Sequence, residues 1–268
     1  MARLWLALCA ENVLGPDQRR RHRQRLTGCR PARMVHRAVA IEPSGRPRAR
    51  PTQHGAGDVR FASFHTGVVH VLGVSNDDEM VATFLRGELS SERFGGDIRA
   101  YLTSCGQSER LLSCPDLSDA EANAVRRRLL TAWRGYGENR ELFIHFPAQV
   151  RWIRAVLRAD EIARVRYMDY SYWYEISGGS RLPADAAARI QAGLRAWDVP
   201  NGRFTEAARA LARGEQFPPL ILVGENQREL VCLEGHLRLT AYALAGFPVD
   251  VECLIGTAPT MGRWTQLT

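Results

Sequence analysis

Glu234-Gly235-His236-Leu237-Arg238 places an acid, a glycine, an imidazole and a guanidinium within five positions. An apolar run, Leu230-Val231-Cys232-Leu233, precedes them, and a helix-forming run, Leu239-Thr240-Ala241-Tyr242, follows. That order is expected of a strand feeding a helix whose first-turn N–H groups can hold an anion. Gly235 at the junction would let a ligand approach the backbone, His236 would stand beside the open N–H groups, and Arg238 would offer a planar fork of donors to a phosphate oxygen. Glu234 repels phosphate, so its useful roles are to hold a divalent cation, to accept a hydroxyl proton or to orient His236. A second acid, Glu175, adjoins the aromatic run from Tyr167 to Tyr174 and the loop Gly178-Gly179, whose amides could approach a ligand. The aromatic run could stack a base, but it is read first as core packing.

Composition narrows the chemistry. All 36 basic residues are Arg, which excludes a phosphate-loop lysine and a Schiff-base lysine and leaves Arg, His and backbone N–H groups as phosphate ligands. The formal charge of +7 is unevenly spread. Residues 1–60 hold 13 Arg against four acids, a net +9, whereas the other 208 residues hold 23 Arg and 25 acids, a net −2. The body of the protein therefore has little bulk attraction for a polyanion, and nucleic acid is a secondary expectation. Six cysteines without Cys-x-x-Cys spacing fit free thiols in a reducing cytoplasm. Nothing approaches 18 consecutive apolar residues, so no membrane span is expected.

The chain divides into three regions. Residues 1–60 are Arg-, Pro- and Gly-rich and read as a disordered basic extension. Residues 61–150 read as a helical region with one or two strands. One strand is expected within 61–73, and two helical pieces fall between Asp78 and Tyr101. A helix capped by Ser118 with Glu121 reaching back would run along Val125, Leu129, Leu130 and Trp133, leaving Arg126 and Arg127 exposed. Leu142 to Phe146 reads as a strand. His54, Asp58 and His65 lack the regular spacing of a metal site.

Residues 151–260 carry the clearest pattern. Pro183 opens a helix running to Trp197 with Ile190, Leu194 and Trp197 as its core stripe, and a second spans Thr205 to Arg213. Strands at 219–223 and 229–233 form a hairpin, a helix covers 236–244, and a last strand covers 248–255. The expected fold class is α+β: a small mixed sheet with helices against one face.

This stretch resembles the ParB/sulfiredoxin superfamily, in which an acidic-Gly-His-x-Arg signature lies between a β-hairpin and a helix. The resemblance rests on Pro219 to Val223, Glu229 to Leu233, Glu234 to Arg238 and Val249 to Val251. It covers residues 155–256 and implies a ParB/sulfiredoxin-like, ParB-like nuclease-type domain. By that resemblance Gly235, His236 and Arg238 are the nucleotide-phosphate contacts, with Glu234 in place of the more usual Asp. The functional expectation is a nucleotide-binding phosphotransferase or hydrolase that uses ATP or CTP with Mg²⁺ on a small hydroxylated metabolite. Glu234, His236 and Glu175 would be catalytic, Glu234 the metal ligand, and Gly178, Gly179, Gly235, His236 and Arg238 the nucleotide contacts. A DNA-binding regulator or nuclease, or a nucleotide-gated interaction module, is the alternative.

Overall fold

The computed structural model of the chain describes residues 69–267 apart from 90, 92 and 93. The basic extension 1–60 and the residues His54, Asp58 and His65 lie outside the described residues. The centre of the structure is a mixed sheet of six strands in the order β1-β2-β6-β4-β5-β3. These are β1 (His70–Val74), β2 (Arg151–Leu157), β3 (Arg166–Tyr167), β4 (Leu220–Gly224), β5 (Val231–Glu234) and β6 (Val251–Thr257). β1, β2 and β6 pair antiparallel in sequence, β6 lies parallel to β4, β4 and β5 form the antiparallel hairpin, and β5 pairs parallel with β3.

Alternation along the central strands explains both layers around the sheet. Leu220, Leu222, Cys232, Cys253 and Ile255 point into one core, and Ile221, Val223, Val231, Leu233 and Leu254 into another. A strand covered on both sides reads as a continuous apolar run, as β4 does: Leu220, Ile221, Leu222 and Val223 are all shut from solvent. Helices therefore pack on both faces, not on the single face expected. The first face is covered by α1 (Asp77–Leu89), α2 (Gly95–Ser104), α3 (Arg110–Ser113) and α4 (Ala120–Arg134). After the one-turn α5 (Ala159–Ile162), the second face is covered by α6 (Ser171–Ile176), α7 (Pro183–Gln191), α8 (Gly202–Ala212) and α9 (His236–Leu244). The segments on either side of residue 150 thus share one sheet: β1 pairs with β2, and Trp152 Nε1 donates to Asp77 Oδ1 at the start of α1 (2.7 Å).

Several local expectations need correction. α4 is capped by Asp119, whose side chain accepts from Ala122 N (2.9 Å), while the Ser118 hydroxyl donates to Asp116. Its buried stripe contains Asn123 and Arg126, and Val125 is only half-buried. The Arg126 guanidinium donates from Nη1 to Leu111 O (3.0 Å) and from Nη2 to Asp116 O (2.7 Å) and Asn123 Oδ1, while its Nε is buried without a hydrogen-bond partner among the described residues. Leu142 to Phe146 is no strand; a short 3-10 turn, Glu141–Phe143, buries Phe143 against the rings of Phe84, Tyr136 and Phe146. Positive φ at Asn139, Glu141 and His145 is incompatible with an extended run there. The stretch 151–157 is β2. α7 stops at Gln191 because Gly193 takes φ +79°, which leaves Leu194 and Trp197 half-exposed on a loop. The 95–96 glycines open α2; a Cβ on Gly95 would run into Leu89 O.

Arg126→Ala should lower stability by about 2–3 kcal/mol, because it strands the Leu111 and Asp116 carbonyls and opens a void beside α4. Chemical denaturation of the variant against the parent measures this, and a change within about 0.5 kcal/mol would show the guanidinium to be dispensable.

Candidate functional site

The turn from β5 into α9 is made in a single residue. Gly235 takes φ +106° and ψ 21°, a conformation in which a side chain is strained. A Cβ there would also overlap Leu220 Cδ2 and press on Arg238 Nη2. α9 begins without a side-chain cap. Helix geometry leaves the first N–H groups of α9, those of His236 and Leu237 among them, without intrahelical partners, and the positive end of the helix dipole coincides with them.

Arg238 is buried, with 3% of its surface exposed. Its Nη1 donates to the carbonyls of Pro218 (2.7 Å) and Pro219 (2.7 Å), and its Nη2 to Glu234 Oε2. The guanidinium thus ties the end of β5 to the segment entering β4. Its donors face protein acceptors, not a cavity, which differs from the anion fork expected of it. Glu234 is mostly buried, and its carboxylate lies against Gly87 of α1: a Cβ on Gly87 would come within 3.1 Å of Oε1. Burial raises the Glu234 carboxyl above its usual value, against the lowering effect of Arg238, and Glu88 adds to the rise.

His236 lies under an aromatic cover. Its ring stacks with Trp173 (centroids 4.8 Å apart, 16° between planes), and Trp173 also stacks with Tyr167 (4.7 Å, 22°). Tyr167 and His236 are themselves 6.1 Å apart. Were the indole sandwiched between them, that separation would be the sum of the other two, so Trp173 instead covers one side of both. A hydrogen bond to the Cys232 carbonyl holds the imidazole, and Nε2 is buried with no hydrogen-bond partner among the described residues. Burial and then the positive charges of Arg238 and Arg134 push its pKa down to about 3, so the ring is neutral at pH 7. Beneath it, Tyr167 Oη and Thr240 Oγ1 lie 2.7 Å apart, and Thr240 donates to His236 O (2.8 Å). The chain of hydroxyls is complete if Tyr167 donates to Thr240.

Two charged residues that sequence reasoning missed complete the surroundings. Arg134, in the last turn of α4, pairs with Glu88 of α1 and keeps a quarter of its side chain exposed. Its charge is felt at both Glu234 and His236. The available signal is Gly87 inside a helical run, which marks a close backbone approach. Glu175 is not brought to this group. It is exposed on α6 two positions after Trp173, which turns it about 200° around the helix from the ring that covers His236. Gly178 (φ +66°) and Gly179 (φ +98°) form the turn after α6, where Gly178 N donates to Glu175 O and Gly179 N to Tyr174 O. The aromatic run lies largely in the core: Tyr167 and Tyr172 are buried, and Tyr174 is exposed.

No family model, curated protein or solved structure matches this chain. Among the described residues, no group of three His, Cys, Asp or Glu side chains could hold a metal ion, and no helix is long and apolar enough to cross a membrane. Cys232 and Cys253 are buried and free, and Cys105 and Cys114 are exposed and free.

Gly235→Ala should cost about 2–4 kcal/mol, from backbone strain at positive φ and overlap with Leu220, as read by thermal or denaturant unfolding. His236 binds a proton more readily unfolded than folded, so its contribution is complete above the unfolded value of 6.5 and is lost as pH falls toward about 3. The slope approaches about 1.4 kcal/mol per pH unit in that window, and His236→Phe should flatten it. Glu234 acts with the opposite sign: its raised carboxyl favours the fold when protonated, and that contribution fades as pH rises through its folded value.

Proposed function

We propose that the β5–α9 turn binds the phosphates of a nucleoside triphosphate and that the protein is a nucleotide-dependent phosphotransferase or hydrolase of the ParB/sulfiredoxin-like type. The observation that carries this reading is the start of α9 without a side-chain cap, entered through left-handed Gly235 and flanked by the Glu234 carboxylate and by His236, whose Nε2 has no partner among the described residues. Support also comes from the order of elements: the β4–β5 hairpin, the acidic-Gly-His-x-Arg turn, α9, and then β6 parallel to β4.

Within this reading the roles differ from residue type alone. Arg238 is a positioning residue: it fixes the Glu234 carboxylate and keeps the loop before β4 against the turn. Arg134, partly exposed and exchangeable from Glu88, is the cation that meets phosphate oxygens alongside the α9 amides. His236, neutral at pH 7, donates or accepts one hydrogen bond through Nε2 without adding charge. Glu234, with its carboxyl raised by burial, accepts the proton of the attacking hydroxyl or water. A magnesium ion would arrive with the nucleotide, held chiefly by its phosphates with Glu234 as the protein ligand, and would supply charge neutralisation on the transferred group.

Isothermal titration of the full chain with MgATP and MgCTP should show binding to one of them, weakened about tenfold or more in Arg134→Ala. Glu234→Gln should keep nucleotide binding while lowering phosphate or nucleoside diphosphate release about 100-fold. Failure of both nucleotides to bind at millimolar concentration ends the reading.

A further inference from the structure

At the opposite end of β5 from the turn lies a cavity of about 280 Å³, lined by Val69, Leu157, Glu161, Arg164, Val165, Gln227, Arg228 and Leu230. Leu230 precedes β5 and Glu234 ends it, about 13 Å apart at the rise of a strand, so the cavity is separate from the group around His236. Its volume is many times the share of one water molecule, about 30 Å³. Its walls are of three kinds. Leu157, Val165 and Leu230 belong to the apolar core on the α6–α9 face of the sheet, as does Val69 just before β1. Arg164 and Arg228 are exposed guanidinium groups.

Glu161 is the unusual member. Only 6% of its side chain is exposed. Its Oε2 accepts from Arg158 N (2.9 Å), closing the first turn of α5, and lies 3.5 Å from Arg158 Nε. Its Oε1 is buried with no hydrogen-bond partner among the described residues. A buried carboxylate oxygen left in that state costs free energy that a positively charged donor would recover. The Arg228 side is held in place, because Asn226 Oδ1 accepts from Arg228 N (2.8 Å) and Glu229 N (3.3 Å) across the β4–β5 turn. Arg164 is only weakly engaged, with Nη1 3.4 Å from Asp160 Oδ2.

We propose that this cavity binds a free α-amino acid as its zwitterion, the ammonium on Glu161, the carboxylate on Arg164 and Arg228, and a short aliphatic side chain against Leu157, Val165 and Leu230. A buried acid, exposed guanidinium groups and an apolar wall around one small volume match the three parts of that molecule. A purely anionic ligand would leave Glu161 repelled, and a purely cationic one would leave both guanidinium groups unused. The inference does not depend on nucleotide binding at the other end of β5.

The test is titration calorimetry of the full chain with L-valine and L-leucine, beside valinol, which lacks the carboxylate, and N-acetylvaline, which lacks the ammonium. The expected result is binding of at least one amino acid with a dissociation constant at or below about 1 mM, and at least a tenfold loss for both derivatives. Glu161→Gln keeps an oxygen for Arg158 N and should weaken binding at least tenfold, with circular dichroism reporting that α5 and the fold persist. Arg228→Ala, in an exposed turn, should weaken binding without touching stability. The proposal is overturned if neither amino acid binds at about 10 mM, if valinol or N-acetylvaline binds as well as valine, or if both variants bind as the parent does.

Discussion

A guanidinium almost wholly removed from water governs the geometry of this protein. Arg238 reaches from the first turn of α9 back to two consecutive proline carbonyls and across to Glu234. Proline is a suitable partner there: Pro218 and Pro219 bring no N–H of their own, so the pair presents acceptors without competing donors. Burying such a charge is costly unless every donor is met, and removal of one partner would leave the other unpaired in a low-dielectric setting. The consequence is that β4, β5 and α9 cannot shift independently. The left-handed Gly235, the lie of the Glu234 carboxylate against Gly87 and the position of His236 beneath Trp173 all follow from that restraint.

The same restraint shapes the electrostatics. Two acids and two guanidinium groups, Glu88 with Arg134 and Glu234 with Arg238, meet where α1 and α4 approach the end of β5. The pairs neutralise each other overall, yet burial acts oppositely on the two titratable neighbours, raising the Glu234 carboxyl and lowering the His236 imidazole.

Much of the fold after residue 215 was legible in the sequence because its signals agree. β4 is a short, uninterrupted apolar run, Glu225 to Glu229 is a polar turn, and α9 starts immediately after a glycine. The earlier region was harder to read for physical reasons. Arg126 looks like a surface residue by type, but its guanidinium finds two carbonyls and an amide oxygen inside the α4 packing. Leu142 to Phe146 has strand composition, and only the tertiary demand to bury Phe143 bends it into a turn. Trp173, Glu88 and Arg134 could not be placed beside the Glu234 to Arg238 turn from spacing, because their meeting depends on pairing between segments distant in the chain. Of the residues singled out by type, Glu234, Gly235, His236 and Arg238 do come together, whereas Glu175 is exposed on α6 and Gly178 and Gly179 form the turn that follows it.

The strand order also sets a timetable for assembly. The helices α1 to α4 come before every strand but β1 in the chain, yet the strands they cover, β4, β5 and β6, lie inside the sheet and come last. Phe84, Leu85, Leu129 and Leu130 therefore find their apolar floor of Ile221, Val223, Leu233 and Leu254 only after the final quarter of the chain is present. Contacts spanning so much sequence slow folding, and until those strands arrive the helical half must carry unburied greasy surface. A polypeptide emerging from its N-terminus would be at its most chaperone-dependent just before residue 220.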